Sequence, residues 1–243
     1  MTGMFDIHNH IMYGVDDGSK TFEMTKNMLE IAYNEGTRGI ILTPHHNPYR
    51  WKNEVSTLKE RYEEIKAYVA ETYPDMEIYL GNEIYYFEET LNDLESGSTL
   101  TMSGSKYVLI EFTPSTEYNE IMHAIMDVQQ SGYYPIVAHV ERYECLLKDA
   151  SHIEEMKELG AFIQVNASGV MGERSRLEKK FIKGLLKRGE VNFVATDAHR
   201  DNTRQPYLKK CADYIEKKFG KSYAKELFID NPKAVINNEY IEE

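Results

Sequence analysis

Phe5-Asp6-Ile7-His8-Asn9-His10 is the stretch on which the reading of this chain turns. A short apolar run ends in two histidines spaced two apart, and in a strand residues two apart point to the same side. Both imidazoles can therefore reach one cation, as a ligand arm for a metal that accepts nitrogen. Asp6 shares that face and is placed to orient a histidine from behind. Alone, the pair is equally compatible with ordinary surface or core histidines. Outward from it, however, the same form recurs. Ile40-Ile41-Leu42-Thr43-Pro44-His45-His46, Ile78-Tyr79-Leu80-Gly81-Asn82-Glu83 and Val108-Leu109-Ile110-Glu111 are apolar runs closed by a histidine or a carboxylate. So are Ile136-Val137-Ala138-His139 and Phe193-Val194-Ala195-Thr196-Asp197-Ala198-His199. In a closed parallel barrel the C-terminal strand ends converge on one face, where catalytic groups sit.

The segments between these runs read as helices. Phe22, Met24, Met28, Leu29 and Ile31 recur at helical spacing within Thr21 to Asn34, and Gly36 stops the pattern. Glu54 to Tyr73 is a long amphipathic stretch ended before Pro74. A short segment near Glu88 to Leu94 follows the third run, and further helices are predicted near Glu117 to Ser131, Ile153 to Leu159, Leu177 to Lys187 and Tyr207 to Phe219, with short helical pieces from Tyr223 to Ile241 as a cap. A sixth apolar run, Phe162 to Val165, carries no closing ligand. Strand and helix alternate through seven units, which implies a parallel sheet covered by helices. Ligands at most strand ends favour a closed or nearly closed barrel, because the outer strands of an open sheet would lie too far apart to share one cluster. No linker or repeat interrupts the chain, so residues 1–243 read as a single α/β domain, a length normal for such a barrel.

The bulk numbers narrow the function. A formal net charge of -12 disfavours a sequence-independent grip on nucleic acid. It does not bar a local anion site, since bound metals and a few arginines can reverse the sign of one pocket. The two cysteines, Cys145 and Cys211, form no CxxC pair and read as reduced thiols. The N-terminus lacks the pattern of a signal peptide and no apolar run approaches a bilayer span, so a cytoplasmic location without membrane insertion is expected.

Each candidate ligand has an ordinary explanation beside it. Asp16 and Asp17 lie in a Val-Asp-Asp-Gly turn, where Asp before Gly is common. Glu83 and Glu111 follow apolar runs, where an unpaired buried carboxylate is costly and a metal would remove the cost. His139, Asp197 and His199 are each as compatible with structural roles. It is the whole set that makes coincidence a poor account. Other hydrolytic designs are missing. Neither cysteine has an arginine six positions on, no Gly-x-Ser-x-Gly elbow occurs, and no Gly-x-x-x-x-Gly-Lys loop occurs. The nitrogen and oxygen donor set suits Mn, Fe or Zn.

Together, Asp-Ile-His-x-His with its following Asp-Asp-Gly, Thr-Pro-His-His, Gly-x-Glu, Glu-Phe, Ala-His-x-Glu-Arg-Tyr and Thr-Asp-x-His resemble the polymerase and histidinol phosphatase (PHP) superfamily. Within it they resemble the manganese-dependent protein tyrosine phosphatases of bacterial capsule and exopolysaccharide systems. The likeness runs from Phe5 to Arg204 in the family's order. It implies a distorted TIM-like (β/α)7 barrel and a site of three divalent ions, Mn2+ in the first instance. By the family pattern, His8, His10, Glu83 and Asp197 hold the first ion. Glu83 bridges to a second, completed by Glu111 and His139. Asp17, His45 and His199 hold the third. Arg142 and Arg204 match the arginines that grip the substrate phosphate. The implied substrate is a phosphotyrosine protein, a membrane-linked bacterial tyrosine kinase of polysaccharide export. The competing readings are a small-molecule phosphatase such as histidinol phosphatase on the same site, a phosphodiesterase or exonuclease, and a metal-stabilised module that only docks on a kinase. His46 is a candidate general acid, with a structural role weighing more. The aromatic groups at 49–51 and 85–87 are candidates for a rim around the substrate ring, with ordinary packing weighing more.

Overall fold

The computed structural model describes residues 1–242. Nine short parallel strands build seven barrel staves. They are β1 (Met4–Asp6), β2 (Thr37–Leu42), β3 (His45–His46), β4 (Glu77–Leu80), β5 (Glu83–Tyr85), β6 (Tyr107–Glu111), β7 (Tyr134–Val137), β8 (Phe162–Asn166) and β9 (Phe193–Ala195). Hydrogen bonding divides them into β1-β2-β4 and β3-β5-β6-β7-β8-β9. The second and third apolar runs, expected as single strands, are each broken in two, at Thr43-Pro44 and Gly81-Asn82. Pro44 has no N–H to donate, and the ladder is carried across the gap by other bonds. Gly81 N donates to the Leu42 carbonyl, and Glu83 N and the Asn82 side chain donate to the Pro44 carbonyl. The break turns His45 and Glu83 inward at the top of the barrel. Closure comes from the Asn9–Ala198 bridge, where His10 N donates to Ala198 O and Asp197 N to His8 O, both at 2.8 Å. The expected distorted (β/α)7 barrel is the architecture observed.

The helices are α1 (Phe22–Asn34), α2 (Val55–Thr72), α3 (Thr90–Ser96), α4 (Tyr118–Gln130), α5 (Glu144–Lys148), α6 (His152–Glu158), α7 (Ala167–Met171), α8 (Arg176–Arg188), α9 (Lys209–Phe219), α10 (Lys221–Lys225) and α11 (Asn231–Asn237). The Thr21 hydroxyl caps α1 by accepting from Met24 N, and Ser175 caps α8 through Leu177 N and Glu178 N. Side chains alternate along each stave. Ile7, Ile41, Leu109, Ile136, Phe162 and Phe193 fill the barrel interior together with Val235 and Ile241 of the tail. Val108, Ile110, Val137, Ile163 and Val165 face outward against the helices. The tail is fastened to the N-terminal strand ends, with Lys106 N donating to Asn238 Oδ1 and the Tyr107 hydroxyl donating to Glu239 O. It closes the bottom of the barrel, which leaves the opposite face for the site.

Candidate metal centre

All nine metal-type residues singled out by sequence meet at the C-terminal mouth of the barrel. Their donor atoms form four overlapping clusters, each with its atoms within 4.8 Å of one another. These are His8 with His10 and Asp197; His8 with Glu83 and His139; His45 with Glu83 and Glu111; and His10 with Asp17, His45 and His199. Glu83 sits at the centre. Its Oε1 is 3.0 Å from His8 Nε2 and 2.9 Å from His139 Nε2, and its Oε2 is 3.1 Å from His10 Nε2 and 3.0 Å from His45 Nδ1. Asp17 Oδ1 is 3.5 Å from both His45 Nε2 and His199 Nε2.

These groups fit divalent metals on the arrangement of their atoms. His8 Nε2, His10 Nε2, His45 Nδ1, Asp17 Oδ1 and Glu83 Oε2 are buried, and none has a hydrogen bond of acceptable geometry despite the short separations. Orphaned buried polar atoms are rare and costly. Here they converge on shared points between them, as first ligands of a cation do.

A second layer aims the first. Asp16 Oδ2 takes His10 Nδ1 at 2.8 Å and His45 N at 3.0 Å, while its Oδ1 takes Gly18 N at 2.7 Å. Gln164 Oε1 lies 3.1 Å from His8 Nδ1 and accepts from His139 N at 2.7 Å. Its amide nitrogen donates to Asn166 Oδ1, and Asn166 Nδ2 in turn donates to Asp197 Oδ2. Strand β8 therefore supplies no candidate ligand but hydrogen-bonds three of them, His8, His139 and Asp197. Arg200 Nη1 donates to the carbonyls of Asp17, Gly18 and His199, tying the Asp-Asp-Gly turn to the loop after β9. Gly18 is required by proximity, since a Cβ there would lie 2.2 Å from the His10 carbonyl oxygen.

One expectation needs amending, that for Asp6; for His46 and Trp51 the reading given more weight is the one observed. Asp6 does not orient a ligand ring; it accepts from Thr196 N and Oγ1, joining β1 to the end of β9. His46 points away from the mouth and pairs with Asp93 at 2.9 Å, a structural contact. Trp51 stacks on the His45 ring at 4.9 Å and 11°, so it packs against a candidate ligand, whereas Tyr49 stands 77% exposed with the Tyr85 ring 6.2 Å away. His123 and His152 lie on α4 and α6, away from the cluster, and His152 stacks on Tyr118.

The electrostatics are those of a tightly compensated nest. Burial opposes charge on His10, yet Asp16 overrides it and holds that imidazole well above its ordinary pKa. Burial likewise disfavours the Glu83 carboxylate, but His8 and His45 hold it well below the usual range. For Asp197 burial is overcome first by Arg142. Arg142 Nη2 and Arg204 Nη2 both contact Asp197 Oδ2, the second at 2.8 Å, so both arginines spend charge on one acid. His139, Asp197 and Arg204 adopt φ of 35°, 50° and 48°, a left-handed backbone that costs energy in residues other than glycine. Around this site opens a mouth of about 520 Å³ lined by ligands, both arginines and the Tyr49-Arg50-Trp51 loop.

Residues 4–237 match the family described as capsular polysaccharide synthesis, CpsB/CapC. The chain is 35% identical to tyrosine-protein phosphatase CpsB of Streptococcus pneumoniae, over 98% of this chain and the whole of that one. It is 31% identical to tyrosine-protein phosphatase YwqE of Bacillus subtilis, over 98% of this chain and 93% of that one. A crystal structure from work on YwqE and pneumococcal CpsB, described as unique metal-dependent tyrosine phosphatases, superposes with a TM-score of 0.91 at 30% identity, covering 98% of this chain and 96% of the other. Histidinol phosphate phosphatase of Lactococcus lactis superposes with a TM-score of 0.59 at 17% identity over 90% of this chain and 95% of its own, a likeness of fold alone. With a family match over residues 4–237 and full-length kinship to these phosphatases, the chain belongs to the CpsB/CapC family.

Proposed function

We infer that this chain is a metal-dependent protein-tyrosine phosphatase, a reading carried by one observation: nine nitrogen- and oxygen-bearing side chains gather in four overlapping clusters, with five of their donor atoms buried and unbonded. Full-length kinship to tyrosine phosphatases, rather than to small-molecule phosphatases, supports phosphotyrosine as the substrate. The whole chain acts as one catalytic domain in this reading.

His8, His10, Glu83 and Asp197 would hold one ion, Glu83, Glu111 and His139 a second, and Asp17, His45 and His199 a third. The hard and borderline donors suit manganese, with iron and zinc accepting the same set. Divalent ions, when bound, supply positive charge for the phosphoryl oxygens and acidify the attacking water. The chain's own residues do the rest. Asp16 and Gln164 aim the Nε2 atoms of His10 and His8 at the cluster. Arg142 and Arg204, brought to Asp197 at the wall of the mouth, grip the phosphate; a guanidinium can give two parallel hydrogen bonds to such a group. The departing phenolate has a parent pKa of about 10, so it leaves without a dedicated protein acid, in keeping with His46 being committed to Asp93. The substrate protein would be a bacterial tyrosine kinase of polysaccharide export. The enzyme would act on it in the cytoplasm, where the free thiols Cys145 and Cys211 stay reduced. No helix among the described residues is long and apolar enough to cross a membrane.

The test is phosphate release from a phosphotyrosine peptide by chelator-treated protein before and after adding Mn2+. Activity should appear only with metal, and Glu83→Ala should abolish it. Equal rates with and without chelator, or a preference for histidinol phosphate, would overturn the reading.

A further inference from the structure

The mouth has a neighbour that the chemistry above leaves unused. A second chamber of about 800 Å³ opens beside it, between α7, the 173–174 turn and the start of α9. The two cavities share Arg142, Asp197 and Arg204 as a common wall. A volume of this size holds a drug-sized group, and a phosphate already gripped in the mouth does not need it. A phosphate that meets the arginines from the mouth lies against the wall that the two cavities share.

The lining says what kind of group it takes. Ala167 and Cys211 are buried in its floor, and Met171 is half-buried beside them. Burial pushes the Cys211 thiol up, so it is neutral and behaves as a small apolar group with a polarisable sulfur. Away from the shared wall the charges balance, Arg174 and Lys210 standing with Glu35 and Glu173, while on the wall Arg142 and Arg204 both contact Asp197. A balanced rim does not select for or against charge, while an apolar floor rewards burial of an apolar side chain.

Resting on the phosphatase reading, we propose that this chamber is a specificity subsite for the polypeptide flanking the phosphotyrosine, and that it takes an uncharged, apolar side chain next to the modified residue. A free phosphate or a small aryl phosphate occupies the mouth alone.

The test uses the metal-loaded wild-type enzyme on phosphotyrosine peptides of one length that carry Leu, Gly or Asp on the N-terminal or the C-terminal side, with p-nitrophenyl phosphate as the mouth-only substrate. Leu on one side should raise kcat/KM at least tenfold over Gly, with no gain from Asp. Met171→Trp, which places a bulky ring beside the chamber's apolar floor, should lower the ratio of Leu-peptide to p-nitrophenyl phosphate kcat/KM about tenfold. Equal kcat/KM for Leu and Gly on both sides, or a preference for Asp, would overturn the subsite while leaving the phosphatase reading intact. Failure of every phosphotyrosine peptide alongside turnover of p-nitrophenyl phosphate would overturn the protein-tyrosine reading itself, and the subsite with it. Should the Met171 variant fail to fold, the wild-type peptide series decides the matter.

Discussion

Asp16 binds no metal in this scheme, yet replacing it with asparagine should disable the centre. Its two oxygens serve three N–H donors: Oδ1 takes Gly18 N, and Oδ2 takes His45 N and His10 Nδ1. Asparagine keeps one oxygen. Placed toward Gly18, it sets an NH2 group against the backbone N–H of His45 and the Nδ1 of His10. The His10 proton must then move to Nε2, the atom that faces Glu83 and Asp197, and its lone pair is lost to the metal. Flipped the other way, the amide meets Gly18 N instead. Two routes give the size of the effect. A hydrogen bond to a charged partner contributes about 1.5–3 kcal/mol. Loss of an outer partner of a metal-binding histidine costs about 10–100-fold in affinity, which is about 1.4–2.8 kcal/mol. Calorimetric titration of metal-free Asp16→Asn with Mn2+ should therefore show at least one site weakened by about 10–100-fold, with the rate recovering in part at high metal. Circular dichroism of the metal-free variant separates this from unfolding. Affinity within twofold of wild type in a folded variant would refute the tautomer argument.

Other outcomes follow from the same geometry. Arg142→Ala should raise KM for phosphotyrosine by about 10–100-fold, the worth of a lost charge-assisted contact; an unchanged KM removes Arg142 from the phosphate grip. Gly18→Ala should cost about 1–3 kcal/mol through the clash with the His10 carbonyl, read as a lower Tm and weaker metal binding; an unshifted melting curve contradicts the close packing. In the metal-free protein, burial works against charge on His45 but Glu83 raises its pKa from the ordinary 6.5 to about 10, so it is protonated at neutral pH. Such a raised group stabilises the fold below about 6.5 and loses that contribution as pH climbs through about 10. Metal loading at pH 7 must expel the proton, and calorimetry in buffers of different ionisation enthalpy should detect it; buffer-independent heats would show that no proton leaves.

The barrel was legible in the sequence because its signal is repetitive: an apolar run, a ligand, a helix, again and again from Phe5 to His199. Most candidate ligands were visible because a histidine or acid closing an apolar run is conspicuous; Asp17, in its turn, was legible only from the family pattern. What supports the ligands was less so. Gln164 and Asn166 alternate within an apolar strand, a pattern that signals two amides on one face, yet amides are weak metal ligands and a search for ligands passes over them. Asp16 and Asp17 are neighbours with opposite duties, and only the turn held by Gly18 and Arg200 decides which faces the cluster. Asp6 has the right spacing to orient a histidine, but closure of the barrel brings Thr196 to it first. The strand break at Pro44 has a local cause in the missing N–H, but its consequence, His45 and Glu83 re-aimed toward partners far along the chain, is tertiary.

The left-handed torsions at His139, Asp197 and Arg204 carry a lesson for anyone who would engineer this protein. At each of them glycine relaxes the main chain, by roughly 1–3 kcal/mol, and simultaneously deletes a working side chain. A library screened only for heat tolerance would drift toward glycine at those three positions and converge on robust, inert barrels. Robustness and catalysis pull against each other here at identifiable torsion angles, so any directed evolution of the enzyme has to score turnover in every round.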